Sequence, residues 1–171
     1  MAEFGFIHDK LDIKILILFI LARLPGPVGS AALSELVLCD GGISYFDYTD
    51  CLSELISAEH AVEEAGGYSI TVKGRRNGEA IESSLPYSVR KKVMRRISLA
   101  ASAMKRNSMI TASHTANNDS SVTAELSLSD GAGEIISLKL LVPDEDSAFA
   151  VEKNFRSDAE GIYNRIIEML S

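Results

Sequence analysis

The stretch SYFDYTDCLSELISAEHAVEEA, residues 44–65, decides the fold. Ser44 is a good helix N-cap, and Tyr45, Tyr48, Leu52, Leu55 and Ile56 follow at the spacing of one inward face, so a helix begins near Ser44. After His60 the pattern changes. Ala61 to Ala65 reads as a short strand, Gly66-Gly67 as a two-residue hairpin turn, and Tyr68 to Val72 as the returning strand.

Upstream, Ser30 is the expected N-cap of another helix, with Leu33, Leu36, Val37 and Leu38 on its apolar side and an end at Asp40, Gly41 and Gly42. Helix, short glycine-containing turn and helix make a helix-turn-helix, and the hairpin that follows is its wing. The chain enters this unit through a helix that starts at Asp9 or Asp12 and runs to about Leu24, where Pro25, Gly26 and Pro27 stop it. Ile13, Ile15, Leu16, Ile17, Leu18, Phe19, Ile20 and Leu21 make it apolar nearly all round. Such a helix has to be covered on several sides, by its own domain or by a second subunit as well. The run from Ile15 to Ala22 is far shorter than the roughly 20 residues that cross a bilayer, which excludes a membrane span there.

Downstream, Lys73 to Ser83 reads as a short helix, and Pro86 opens a long one that reaches about Ser108. Val89, Val93, Ile97, Ala100, Ala101 and Met104 share one side of it, and Lys91, Lys92, Arg95, Arg96, Lys105 and Arg106 the other, with Leu99 among the cations. From Ile110 the period drops to two. Ile110–Ala116, Val122–Ser129 and Ile135–Val142 read as strands joined by Asn117-Asn118-Asp119 and Asp130-Gly131-Ala132-Gly133, an antiparallel meander. A last helix, with Phe155, Ala159, Ile162, Ile166 and Leu170 on one stripe and Asp144, Glu145 and Asp146 near its start, covers one face of that sheet. The expected fold is therefore α+β: a winged helix-turn-helix over residues 1–85, a long connecting helix over 86–110, and a C-terminal three-stranded antiparallel sheet with a covering helix over 111–171.

Charge divides the chain more sharply than composition does. Residues 1–85 carry 6 basic and 13 acidic side chains, residues 86–110 carry 7 and 0, and residues 111–171 carry 4 and 11. The net charge of −7 argues against a protein that coats nucleic acid indiscriminately. Cys39 and Cys51 are too few for a disulfide framework and no secretory signal precedes them, which fits reduced thiols in a cytoplasmic protein. His8, His60 and His114 stand without a carboxylate or Cys at metal-ligand spacing, and Gly131 and Gly133 belong to a turn rather than to a phosphate loop. No cofactor, metal site or catalytic constellation is expected.

Three segments carry a resemblance. Asp9-Lys10-Leu11-Asp12-Ile13-Lys14, the centre from Leu38 to Tyr48 (LCDGGISYFDY) and Thr71-Val72-Lys73-Gly74 resemble a bacterial family of uncharacterised winged-helix proteins over nearly the whole chain. More distantly, Thr-x-Lys-Gly after a hairpin is similar to winged-helix regulators of the PadR and MarR type. That similarity implies a homodimeric DNA-binding transcriptional regulator.

The residues divide on this point. On that reading Ser44, Tyr45, Phe46 and Asp47 enter a groove of double-stranded DNA, while Lys73, Arg75, Arg76, Arg90, Lys91, Lys92, Arg95 and Arg96 hold phosphates. The C-terminal unit then dimerises or senses a small-molecule effector. Against it, the helix from Ser44 to Ser57 has no Lys or Arg and turns Asp47, Asp50 and Glu54 outward, and the wing adds Glu63 and Glu64. The alternative is a protein-protein interaction module whose acidic helix, with Phe46, docks a basic partner, and whose long basic helix pairs internally with the acidic segments around it.

Overall fold

The N-terminal unit is built around helix α1 (Lys10–Leu21), which starts on Asp9, whose carboxylate accepts from the Leu11 amide at 3.2 Å. Eight of its twelve residues, Ile13 and Ile15 to Leu21, are buried. The structure is a computed structural model that describes residues 7, 9–39, 41–118 and 121–171; the helix end expected at Asp40, the turn residue Asp119 and His8 lie outside the described residues. Helices α2 (Ser30–Val37), α3 (Tyr45–Ser57) and α4 (Val72–Ile81), with a 3-10 turn at Glu82–Ser84, pack round α1. Its all-round apolar surface is thus covered within one chain, and a second subunit is not needed to explain it.

Between α3 and α4 lies an antiparallel hairpin of β1 (Ala61–Glu64) and β2 (Gly67–Ile70), in register Ala61↔Ile70 and Glu64↔Gly67. The turn is Ala65-Gly66, one residue earlier than the glycine pair suggests. The cause is Val28, which exchanges two backbone hydrogen bonds with Tyr68, at 3.0 and 2.8 Å, and so lies beside β2. Gly67 sits at φ +121°, and a Cβ there would stand 2.1 Å from the Val28 carbonyl oxygen. This glycine is needed as a strand residue under a crossing backbone, so it is not free to serve as the turn. The same pairing holds the chain extended up to Gly29, which becomes the N-cap of α2, and Ser30 is the first helical residue instead of the cap.

Thr71 ties three elements together. Its hydroxyl accepts from the Gly74 amide as N-cap of α4 and lies 2.7 and 3.1 Å from the carbonyl oxygens of Glu59 and His60. Gly74 rests on the same loop: a Cβ there would fall 1.9 Å from the His60 carbonyl oxygen. The loop ends α3 in a Schellman pattern, His60 N–H to Leu55 C=O and Glu59 N–H to Ile56 C=O, with Glu59 in the left-handed region at φ 60°.

By its contacts the chain divides into two compact units, one ending at Ser102 and the other starting at Ala103, so helix α5 (Tyr87–Ser108) contributes to both. The second unit carries β3 (Ile110–Ala116), β4 (Val122–Ser129) and β5 (Glu134–Val142) in the order β3-β4-β5, an antiparallel meander. The Asp130 carboxylate closes the β4–β5 turn by accepting from the amides of Ala132 and Gly133, which holds its pKa below the ordinary carboxylate value. One face of the sheet (Ile110, Ala112, Leu126, Leu128) packs on Phe155 and Ala159 of helix α6 (Glu145–Leu170), which starts on the Asp144 cap.

The covering stripe expected to run through Leu170 stops short. The helical geometry of α6 breaks at Asp158 (φ −147°, ψ 44°), so the stripe does not continue along one straight axis. Beyond the break Ile162 and Ile166 are half-buried, and Ile167, Met169 and Leu170 are exposed. The opposite face of the sheet is wet, with Thr111 against Ser127 at 2.6 Å and Lys139 against Glu125 at 2.7 Å.

Two substitutions in the loop after α3 test this account in opposite directions. Glu59→Gly removes a left-handed non-glycine residue and is expected to stabilise the chain by about 1 kcal/mol. Gly74→Ala forces a Cβ into the His60 carbonyl and is expected to cost about 1–3 kcal/mol or more. Thermal denaturation of the two variants beside the parent chain reads both signs; equal melting temperatures would remove the steric argument.

Candidate nucleic-acid interface

Helix α3 begins with a reciprocal cap. The Ser44 hydroxyl accepts from the Asp47 amide at 3.0 Å and donates to the Asp47 carboxylate at 2.6 Å. A carboxylate in the first turn also suits the helix dipole. Tyr48 is buried beside Tyr45, with ring centroids 5.9 Å apart, and burial pushes its phenol pKa well up. One helical turn on, Asp50 is ion-paired with Lys10 and Glu54 with Lys14, both lysines coming from α1. The hydrogen bonds to these carboxylates raise the pKa of each lysine.

All three carboxylates of α3 therefore have partners. Exposed surface pairs of this kind add little to stability. Their effect here is on the field of α3, because each α1 lysine cancels one negative charge beside it. The uncharged residues of the exposed face are Tyr45, Phe46 at 75% exposure, Ser53 and Ser57, with Thr49 half-buried between them, and half-buried Asp47 keeps its charge beside them. The expected acidic outward face thus keeps its carboxylates, two of the three offset by lysines. Sequence periodicity put Asp50 and Glu54 outside the core, but it could not show that α1 lays Lys10 and Lys14 along the same edge.

The hairpin offers no cation. Glu63 and Glu64 are exposed, Ser69 donates to Glu64 at 3.4 Å, and burial followed by the nearby Glu63 charge raises the Tyr68 pKa.

The basic candidates separate into two sets. Lys73 donates to the Ala58 carbonyl at 2.8 Å and lies 3.8 Å from Glu59, so it caps the C-terminal end of α3. Arg75 donates to the Ala22 carbonyl at 2.8 Å and does the same for α1. These two hold helix ends, where cations are favoured by the dipole. Arg76 is exposed, and Lys91, Lys92, Arg95 and Arg96 stand exposed on α5 beside the buried Val89, Val93 and Ile97. Arg90 is half-buried, and its Nε is enclosed without a hydrogen-bond partner. Among the described residues none of these α5 cations joins an ion pair.

In the C-terminal unit the structure makes a pairing that sequence spacing hid. His114 Nδ1 lies 2.6 Å from Glu152, 38 residues further on, and the Phe149 ring stands edge-on to the imidazole at 4.8 Å. Among the described residues no group of three or more His, Cys, Asp or Glu is placed to hold a metal ion. No helix is long and apolar enough to cross a membrane, again among those residues.

These features define an α+β chain whose N-terminal unit presents an aromatic-tipped helix beside a hairpin, with exposed cations on the long helix that follows. The chain belongs to the family described as a domain of unknown function, DUF4364, whose profile matches residues 13–170. Neither a curated protein nor a solved structure matches it.

The division of basic residues has a direct test. Arg75→Ala should lower the melting temperature by a degree or more, as expected for about 0.3–1 kcal/mol at a helix C-terminus, while Arg76→Ala leaves it unchanged. Ser44→Ala should cost about 1 kcal/mol through loss of the α3 cap. If Arg76→Ala is as destabilising as Arg75→Ala, the assignment of Arg75 to the α1 terminus is wrong.

Proposed function

We propose that the protein is a DNA-binding transcriptional regulator of winged-helix type that acts as a homodimer. The order α1, α2, α3, β1, β2, with Val28 pairing beside β2, supports a helix-turn-helix with α3 as reading helix and the hairpin as wing. The similarity of Thr71-Val72-Lys73-Gly74 to PadR- and MarR-type regulators agrees with that order, although the structural ties of Thr71 and Gly74 alone account for two of its four residues.

The observation that carries the reading is the reduced negative charge of α3. Asp50 and Glu54 are offset by Lys10 and Lys14, which leaves Asp47, bonded to the Ser44 hydroxyl, as the one carboxylate of the helix without a cation when it approaches a phosphate backbone. Phe46 and Tyr45 at its N-terminal end suit apolar contact with thymine methyl groups, and Thr49 and Ser53 suit hydrogen bonds to base edges. Arg76 and the α5 set Lys91, Lys92, Arg95 and Arg96 are the cations left for phosphates, with Arg90 behind them.

A second reading is favoured by the hairpin. A tip with Glu63 and Glu64 and no cation suits a basic protein surface, on which Phe46 would be the anchor.

Titrating the full chain with duplex DNA between about 50 and 200 mM salt separates the two. The regulator is expected to lose affinity by orders of magnitude over that range, and replacing Lys91, Lys92, Arg95 and Arg96 by Gln should flatten the dependence on salt. Phe46→Ala should leave the salt slope intact and weaken only a selected site. Absence of binding at the lowest salt rejects the DNA reading and directs attention to a protein partner of α3 and the hairpin.

A further inference from the structure

A hollow of about 320 Å³ opens between α1, α3 and α4, entirely within the N-terminal unit. Its volume lies within the roughly 300–1,000 Å³ of small-molecule sites. The apolar walls are Leu11, Ile15, Leu18, Leu55, Ala58 and Ile81, all aliphatic, and Leu11 and Ile81 keep 58% and 40% of their surface exposed at its rim. An aliphatic lining that includes exposed leucine and isoleucine favours an apolar occupant.

The polar part of the lining consists of two pairs. His60 Nε2 and Asn77 Nδ2 are 2.8 Å apart, and the buried His60 Nδ1 has no hydrogen-bond partner. Lys14 is ion-paired with Glu54 and is the only Lys or Arg in the lining. The two members of this ion pair differ in their access to water: 29% of the Lys14 side chain is exposed against 48% for Glu54. The carboxylate is therefore the member that water can take over when a competitor arrives, and the ammonium is the member that stays at the hollow. A competitor that gains Lys14 and fills the aliphatic space beside it must be an anion with an apolar tail.

We propose that this hollow is a binding site for a small aliphatic carboxylate that takes Lys14 from Glu54, and that, resting on the reading of α3 as a DNA-reading helix, its occupancy weakens DNA binding. The exchange breaks one ion pair and makes another, with no covalent step. Its consequence lies on α3. Glu54, released from Lys14, restores a negative charge to the helix beside the face that approaches phosphates. The effector site then belongs to the N-terminal unit and acts through one side-chain exchange.

Octanoate, 1-octanol and octylamine share a tail and differ in charge, and calorimetric titration of the full chain with each separates tail from head group. Octanoate is expected to bind about tenfold or more tightly than the other two, the margin of a charge-assisted contact. Lys14→Met should lose about that factor, whereas Glu54→Gln, which removes the competitor, should bind octanoate more tightly than the parent chain. Octanol binding as well as octanoate, an unchanged affinity in Glu54→Gln, or no octanoate binding overturns the site.

For the regulatory half, octanoate should weaken duplex DNA binding by the parent chain and not by Glu54→Gln. DNA binding that ignores bound octanoate overturns regulation while leaving the site. A parent chain that binds no DNA at any salt rejects the DNA reading and the regulation together, and the octanoate titrations still decide the site.

Discussion

Burial of α1 is the constraint on which the N-terminal unit depends. Full burial of a Leu, Ile or Phe side chain contributes roughly 1.5–3 kcal/mol, and α1 places eight apolar side chains, seven of them consecutive, within reach of α2, α3, α4 and β2. Because the helix is enclosed, its few polar residues have fixed positions. Lys10 and Lys14 come out along the edge of α3, and the Ala22 carbonyl at the far end meets Arg75. The core thus also sets the electrostatic character of α3.

The formal charge of the chain gives a poor guide to its surface for the same reason. Of the carboxylates in residues 1–85, Asp9, Asp47, Asp50, Glu54, Glu59 and Glu82 are occupied by helix caps or by basic partners. Arg23, which meets Glu82 at 2.8 Å, also lies over the Phe19 ring at 3.6 Å. Helix α5 has no such arrangement. Its cations face outward beside a buried stripe of Val89, Val93 and Ile97, so an acidic chain retains one strongly basic surface.

Most of the fold was legible because each element announced itself by period and punctuation. The alternation in Val122–Ser129, the turn at Asp130 to Gly133 and the two-faced helix from Tyr87 all lie where the pattern put them. What sequence could not show were contacts between distant segments. The Val28–Tyr68 pairing moved the hairpin turn and the α2 cap by one residue each. The Lys10–Asp50 and Lys14–Glu54 pairs, 40 residues apart in sequence, offset two of the three carboxylates of an apparently acidic helix, and the His114–Glu152 pair spans 38. The helix periodicity of α6 likewise gave no sign of the break at Asp158. Lys73 and Arg75 showed a related limit: a basic residue next to a hairpin reads the same whether it meets a phosphate or a helix terminus.

The β5 strand bears on strand-to-strand stacking at the edge of the sheet. It pairs only with β4, so one of its edges has no strand neighbour among the described residues, and Ile135 to Val142 is a run of apolar and serine residues with Leu140 and Leu141 exposed. Such an edge is a template for further strands. Lys139 is the single charge in that run, and its pairing with Glu125 across the wet face holds it there. Resistance of this edge to fibre-like stacking therefore rests on one ammonium group in the middle of the strand and on Pro143, which lacks the N–H that would extend the ladder.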